Sequence, residues 1–123
     1  MAYLNSRIQD FGLNVLDTEA NRLDICTTEP TTFSQATTTY TVGNKTSISV
    51  GSPADRTPSG RKVTVAAITD GNVTGNNTAA FWAVTDTVNS RLLAAGSLSS
   101  GQVVTSGNTF TMTAFDIGIP GPA

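Results

Sequence analysis

From Leu4 to Val15 the apolar residues Leu4, Ile8, Phe11 and Val15 recur at steps of four, three and four, the spacing that lines one face of a helix. The pattern predicts a short amphipathic helix over residues 2–17, with Arg7, Asp10 and Asp17 on its wetter side. Gly12 weakens that helix by about 1 kcal/mol. The apolar stripe has to cover something, either the chain's own sheet or a partner subunit.

After Ala20 the period shortens to two. Leu23 and Ile25 in "RLDICTT" share one face of a first strand. "EPTTFSQATTTYTVGNKTSISV" reads as a loop followed by short strands at Tyr40–Val42 and Thr46–Val50, separated by a Gly-Asn turn. "GSPADRTPSG" is an irregular loop. "RKVTVAAIT" then alternates with Val63, Val65 and Ala67 on one face, and "DGNVTGN" turns the chain. "NTAAFWAVTD" is apolar on both faces, as a central strand covered on both sides would be. "RLLAAGSL", a turn at "SSG", "QVVT", a turn at "SGN" and "TFTMTAFDI" complete the series, with Phe110, Met112 and Ala114 inward and Thr109, Thr111 and Thr113 outward.

Short strands at intervals of about 8 to 12 residues, with turn residues between them, predict an all-β fold: an antiparallel β-sandwich or small barrel, with a short N-terminal helix. The last five strands read as a meander. The expected organisation is an N-terminal helix or arm over 1–20, a sandwich over 21–116 and an extended tail over 117–123. Gly118, Pro120, Gly121 and Pro122 stop the tail from continuing as a regular helix or central strand, so Ile117 and Ile119 either tuck back over the domain or lie on another subunit.

At 123 residues with 38% hydrophobic content, the chain suits one domain with one core. Only 13% of residues are charged and the net charge is −2, against roughly 25% charged in an ordinary soluble domain. Such a surface lacks the basic footprint that neutralises phosphates, so no nucleic-acid partner is expected. No run approaches the roughly 18 apolar residues of a membrane span, and the N-terminus does not read as a signal peptide. The expectation is synthesis in the cytoplasm without membrane association, and the sequons at Asn44, Asn72 and Asn76 then read as ordinary loop sequence. The single cysteine, Cys26, cannot form an intrachain disulfide and reads as a small buried hydrophobe.

The chain has no histidine, which removes the commonest general base and the commonest zinc ligand. Lys45 and Lys62 lie beside turns and are not poised as nucleophiles. Asp70, Asp86 and Asp116 stand at strand ends, where a carboxylate pair could be built, but turn capping accounts for such positions more simply. Asp70, Asn72 and Thr74 imitate the opening of a calcium loop, yet the Gly is misplaced and Phe81 stands where the bidentate Glu belongs. No catalytic, cofactor or metal site is expected, and the chain reads as a non-enzyme. Arg56, Arg61 and Lys62 form the one basic cluster, a candidate docking patch for an acidic surface.

The stretches "ICTTEPTTFSQATTTYTVGNKT", "SGRKVTVAAITDGNVTGNNTAAFWAVTD", "SRLLAAG" and "SGNTFTMTAFDIGIP" together resemble a family of small proteins among the virion-structural proteins of tailed phages. The resemblance spans Ile25 to Pro120 and rests on framework residues. It implies an antiparallel β-sandwich, jelly-roll-like, and a capsid cement or decoration protein on the outer shell of the virion, bound to the major capsid protein and to itself as a homodimer or homotrimer. The interface residues that go with this expectation are Leu4, Ile8, Phe11, Arg56, Arg61, Lys62, Ile117, Ile119 and Pro120. A tail or neck protein is the second structural expectation. A carbohydrate-binding module on the virion surface is a third, with Trp82 and Tyr40 as stacking platforms, although the alternation of Trp82 with core-like Val84 favours a buried Trp82.

Overall fold

Because each strand's side chains alternate between faces, a wide sheet must find cover on both sides. The computed structural model describes residues 3–4, 12–55 and 61–119. It shows two antiparallel sheets facing each other, the sandwich-like arrangement expected from the strand spacing. Ten strands are named in chain order: β1 Tyr3–Leu4, β2 Arg22–Cys26, β3 Thr41–Thr46, β4 Ala54–Asp55, β5 Arg61–Val65, β6 Ile68–Val73, β7 Asn77–Asp86, β8 Arg91–Val104, β9 Thr109–Met112 and β10 Phe115–Ile119. The larger sheet runs β1-β8-β7-β2-β3-β6-β9 and the smaller β10-β5-β4.

The two sheets are joined by one folded ribbon. Residues 61–65 pair with 115–119 in the smaller sheet, and residues 68–72 pair with 109–112 in the larger. Both chains of the ribbon change sheet at the same level, through exposed Ala66–Ala67 and Thr113–Ala114. Small residues at the corner leave room for the bend that carries a strand from one layer to the other. The predicted strands "RKVTVAAIT" and "TFTMTAFDI" are therefore each two strands, and Ala67 and Ala114, expected inward, are corner residues open to solvent. The expected meander does not form, because β6 pairs with β3 and β9 and not with β7.

Other boundaries move for local reasons. The Gly43–Asn44 pair is not a turn but lies inside β3, where a Cβ on Gly43 would stand 2.8 Å from the Asn72 carbonyl oxygen. "SSG" is not a turn either. β8 stays beside β7 through it, with Ala80 alone opposite Leu98–Gly101 between the pairs Ala79–Gln102 and Phe81–Ser97, a wide bulge in a single strand. Among the described residues the predicted helix over 2–17 is represented by α1, Asn14–Glu19, which follows Gly12 at φ +70 and buries Val15 and Leu16, with Leu13 buried just before it. Leu4 belongs to β1, paired with Ala94 of β8, and residues 5–11 lie outside the described residues.

The core between the sheets gathers Leu16, Leu23, Ile25, Val63, Val65, Val84, Leu93, Phe110 and Ile117. A second, smaller cluster lies on the other face of the larger sheet: Cys26, Ala36, Ala83, Leu92 and Ala95, with Tyr40 and Phe81 packed against it. Its cover is the segment 27–40, where the loop expected from Glu29 onward contains a π-helical turn, Gln35–Thr39, and Tyr40, expected in a strand, closes that turn. A Thr-x-x-Gln sequence starts this turn: Gln35 N–H donates to Thr32 Oγ1 at 3.1 Å, and Thr31 N–H donates to Gln35 Oε1 at 2.8 Å. The expectation that "NTAAFWAVTD" is central and covered on both faces is met by β7, and this covering segment comes from the same chain.

Two aromatic rings are seated on glycines of the neighbouring strand. Phe110 of β9 lies over its cross-strand partner Gly71, and Trp82 of β7 lies over its partner Gly96. Phe110→Ala should destabilise the fold by about 3–5 kcal/mol, and Gly71→Ala by about 1–3 kcal/mol because its methyl group would enter the ring. In a Phe110→Ala background the Gly71→Ala change should cost little. Urea denaturation of the two single variants and the double variant checks this coupling, and additive losses would show that ring and glycine do not share the site.

Candidate binding cleft

A three-stranded sheet cannot cover seven strands, and where cover runs out a half-open cleft of about 580 Å³ remains. It lies between the wide bulge of β8 and the outer strand of the folded ribbon. Its apolar lining is Ile25, Trp82, Leu98, Phe110, Met112 and Phe115. Ser97, Ser100, Gln102, Thr111, Thr113 and Asp116 complete the lining; of these Gln102, paired with the inward-facing Ala79, shares the cleft's face of the sheet. The Trp82 and Phe115 rings pack with centroids 4.7 Å apart and planes tilted by 46°. A Cβ on Gly96 would come within 2.8 Å of the indole, so the ring position depends on that residue being glycine.

Asp116 is the titratable group of this lining. Thr64 Oγ1 donates to it at 2.6 Å and Lys62 Nζ at 3.1 Å. These two hydrogen bonds, with the Lys62 charge, hold its carboxyl below the usual carboxylate range. At neutral pH Asp116 is therefore an acceptor with its charge balanced by Lys62. The three aspartates considered from sequence each have separate work. Asp70 of β6 meets Lys45 at 3.0 Å. Asp86 caps the turn after β7, accepting from Val88 N–H at 3.0 Å and from the Asn89 side-chain amide at 2.8 Å. Asp70 and Asn72 lie within β6 and Thr74 follows it, so the calcium-like spacing belongs to a strand and its exit. Among the described residues no three His, Cys, Asp or Glu side chains come together as a metal site, and no helix is long and apolar enough to cross a membrane.

Of the expected interface residues, Arg61, Lys62, Ile117 and Ile119 come together on the paired strands β5 and β10, while Leu4 lies in β1 of the larger sheet. Ile8, Phe11, Arg56 and Pro120 lie outside the described residues. Lys62 turns to Asp116, while the Arg61 guanidinium donates to the Pro53 carbonyl at 3.2 Å. Ile117 does not reach out: it is buried in the chain's own core, in register with Val63, and Ile119 continues the same strand opposite Arg61. Of the tail expected over 117–123, residues 117–119 belong to β10 and residues 120–123 lie outside the described residues. Trp82 and Tyr40 pack against the clusters on opposite faces of the larger sheet, so they form no common stacking platform. Cys26 is fully buried as expected, its thiol pushed up to about 12 by burial and by the nearby Asp24 charge.

The sequence reading missed a buried ion pair on the sheet's second face. Asp24 is inaccessible to solvent, and Arg22, two residues earlier and so on the same face of β2, grips it with Nε–Oδ1 2.8 Å and Nη2–Oδ2 2.9 Å. Thr41 Oγ1 donates to Asp24 Oδ2 at 2.7 Å, and Arg22 Nη2 reaches the Thr37 carbonyl at 3.5 Å. Burial pushes the Asp24 carboxyl above its usual range, and the bonds from Arg22 and Thr41 pull it back part of the way. The Arg-x-Asp spacing on an alternating strand was the available signal.

Arg22→Met should cost about 3 kcal/mol, because it strands a buried carboxylate. The Asp24 pKa then rises further, so the folded state holds the proton more firmly than the unfolded chain does. Lowering the pH from 7 toward the usual carboxylate range should therefore narrow the stability gap to wild type, as thermal melts at several pH values would reveal. A gap that widens on acidification would place the carboxylate in water. For Asp116 the sign is opposite: its folded pKa is depressed, so the contribution of its contacts is present above about 4 and lost as the pH falls through the depressed value. Thr64→Val should raise the Asp116 pKa in a carboxyl NMR titration. No protein-family model, curated protein or solved structure matches the chain.

Proposed function

We propose that this chain is a structural virion protein, a capsid cement or decoration protein of a tailed-phage head that binds the major capsid protein in many copies. The observation that carries the reading is the free outer edge of the folded ribbon. From Thr109 to Ile119 the strand pair β9 and β10 hydrogen-bonds inward to β6 and β5 and has no strand partner on its other side among the described residues. Along that edge the one charge is Asp116, already balanced by Lys62. Uncharged edges without Lys or Pro accept another chain readily, a liability in a free monomer and an asset in a protein that works assembled. Weak contacts of this kind gain strength from repetition over a lattice. The resemblance of the framework stretches to phage virion proteins supplies the setting for such a lattice.

Cryo-microscopy of particles is the direct test: density for the chain at regular positions over the head supports the reading, and its confinement to the tail or absence from virions rejects it. Thr109→Lys places a charge on the edge at an exposed position outside the cleft. It should leave the melting temperature unchanged and reduce binding to heads prepared without this protein. Undiminished binding would move the contact away from the ribbon edge.

A further inference from the structure

The cleft carries a second inference, independent of where the chain assembles. Its walls are set before any ligand arrives. Trp82 and Phe110 are seated on Gly96 and Gly71, and Phe115 packs on Trp82 from the opposite sheet. At about 580 Å³ it has the size of a small-ligand site, in which an apolar floor provides contact area and a few polar groups fix orientation. Two features narrow the ligand. The lining's one charged group, Asp116, is matched by Lys62, leaving no net charge to hold an anion or a cation. The rim carries side chains that exchange hydrogen bonds with hydroxyl groups: Ser100 in the β8 bulge and Gln102, the cross-strand partner of the inward-facing Ala79. A purely aliphatic ligand would leave these groups desolvated and unpaired, which costs binding energy. A neutral sugar has both parts, an apolar ring face for the aromatic floor and hydroxyls for the rim.

We infer that the cleft between the β8 bulge and the β9–β10 strand is a binding site for one or two units of a neutral saccharide. Tyr40, on the other face of the sheet, takes no part.

Trp82 is the chain's one tryptophan, so its emission reports the cleft directly. The full chain is titrated with a panel of neutral and anionic oligosaccharides, and separately with intact neutral polysaccharide from a bacterial envelope, following Trp82 emission and calorimetric heat. Saturable binding of neutral oligosaccharides with a change in Trp82 emission is expected. Binding confined to the polysaccharide, again with that change, identifies the longer chain as the source of the same sugar units. Gln102→Ala should weaken binding about tenfold, the loss of roughly one good hydrogen bond. Ser100→Trp, at an exposed position of the cleft lining, should block the cleft while the thermal melt stays cooperative. Tyr40→Ala should leave affinity unchanged. The inference is overturned if no neutral saccharide binds at millimolar concentration, if only anionic sugars or the apolar dye Nile red bind, or if binding survives Ser100→Trp.

Discussion

A seven-stranded sheet has two faces to cover, and the opposing sheet has three strands. Most of the remaining architecture answers this mismatch. The folded ribbon supplies the opposing layer by bending the same two chains out of the larger sheet, so that Val63, Val65 and Ile117 can meet Leu23, Ile25 and Val84. Helix α1 adds Leu13, Val15 and Leu16 to the same core. The segment 27–40 closes part of the opposite face. Where none of these reaches, the aromatic cleft is left.

The covering segment raises a harder problem, because backbone laid on a sheet must have its polar groups satisfied. Small residues allow the close approach: Cys26, Ala36, Ala83 and Ala95 leave little space, and the Cys26 thiol faces the Ala36 carbonyl at 3.7 Å. The Arg22–Asp24 pair then fixes the placement. Burying two charges repays little in net stability, since desolvation offsets the attraction. Its value lies in geometry, because the carboxylate accepts from Thr41 just after the π-helical turn and the guanidinium reaches a carbonyl within it. An apolar pair at the same two positions could hold the sheet together without choosing one position for the segment.

Strand content, the central role of "NTAAFWAVTD", the burial of Cys26 and the inward face of Phe110 were legible from alternation and composition. What escaped was set by contacts between distant residues. Ala67 and Ala114 look like inward strand positions on a period of two, and only the pairing of residues 61–73 with 109–119 makes both corners of one bend. Gly43, Gly71 and Gly96 read as turn or weak-strand signals, yet each is small because something approaches it: a carbonyl, a phenyl ring or an indole. Asp24 alternates with the inward Leu23 and Ile25, and only the distant 27–40 segment makes its face a buried one. The cleft was legible only as separate parts. Trp82, Phe110 and Phe115 were visible as apolar residues, but the β8 bulge that brings Ser100 and Gln102 beside them leaves no periodic trace.

The C-terminal strand shows how the same residues can serve both stability and contact. Ile117 is committed to the core, opposite Val63, while Asp116 beside it points the other way and is held by Thr64 and Lys62. Period-two alternation thus puts Phe115 and Ile117 on the inward face, where one lines the cleft and the other fills the core, and Asp116 on the outer face, and the strand's backbone edge is a third surface independent of both. A surface built from that edge needs no exposed apolar side chains. The backbone amides and carbonyls of β9 and β10 can join another chain with Ile117 fully buried, and the low charge of the stretch is the feature that leaves them approachable.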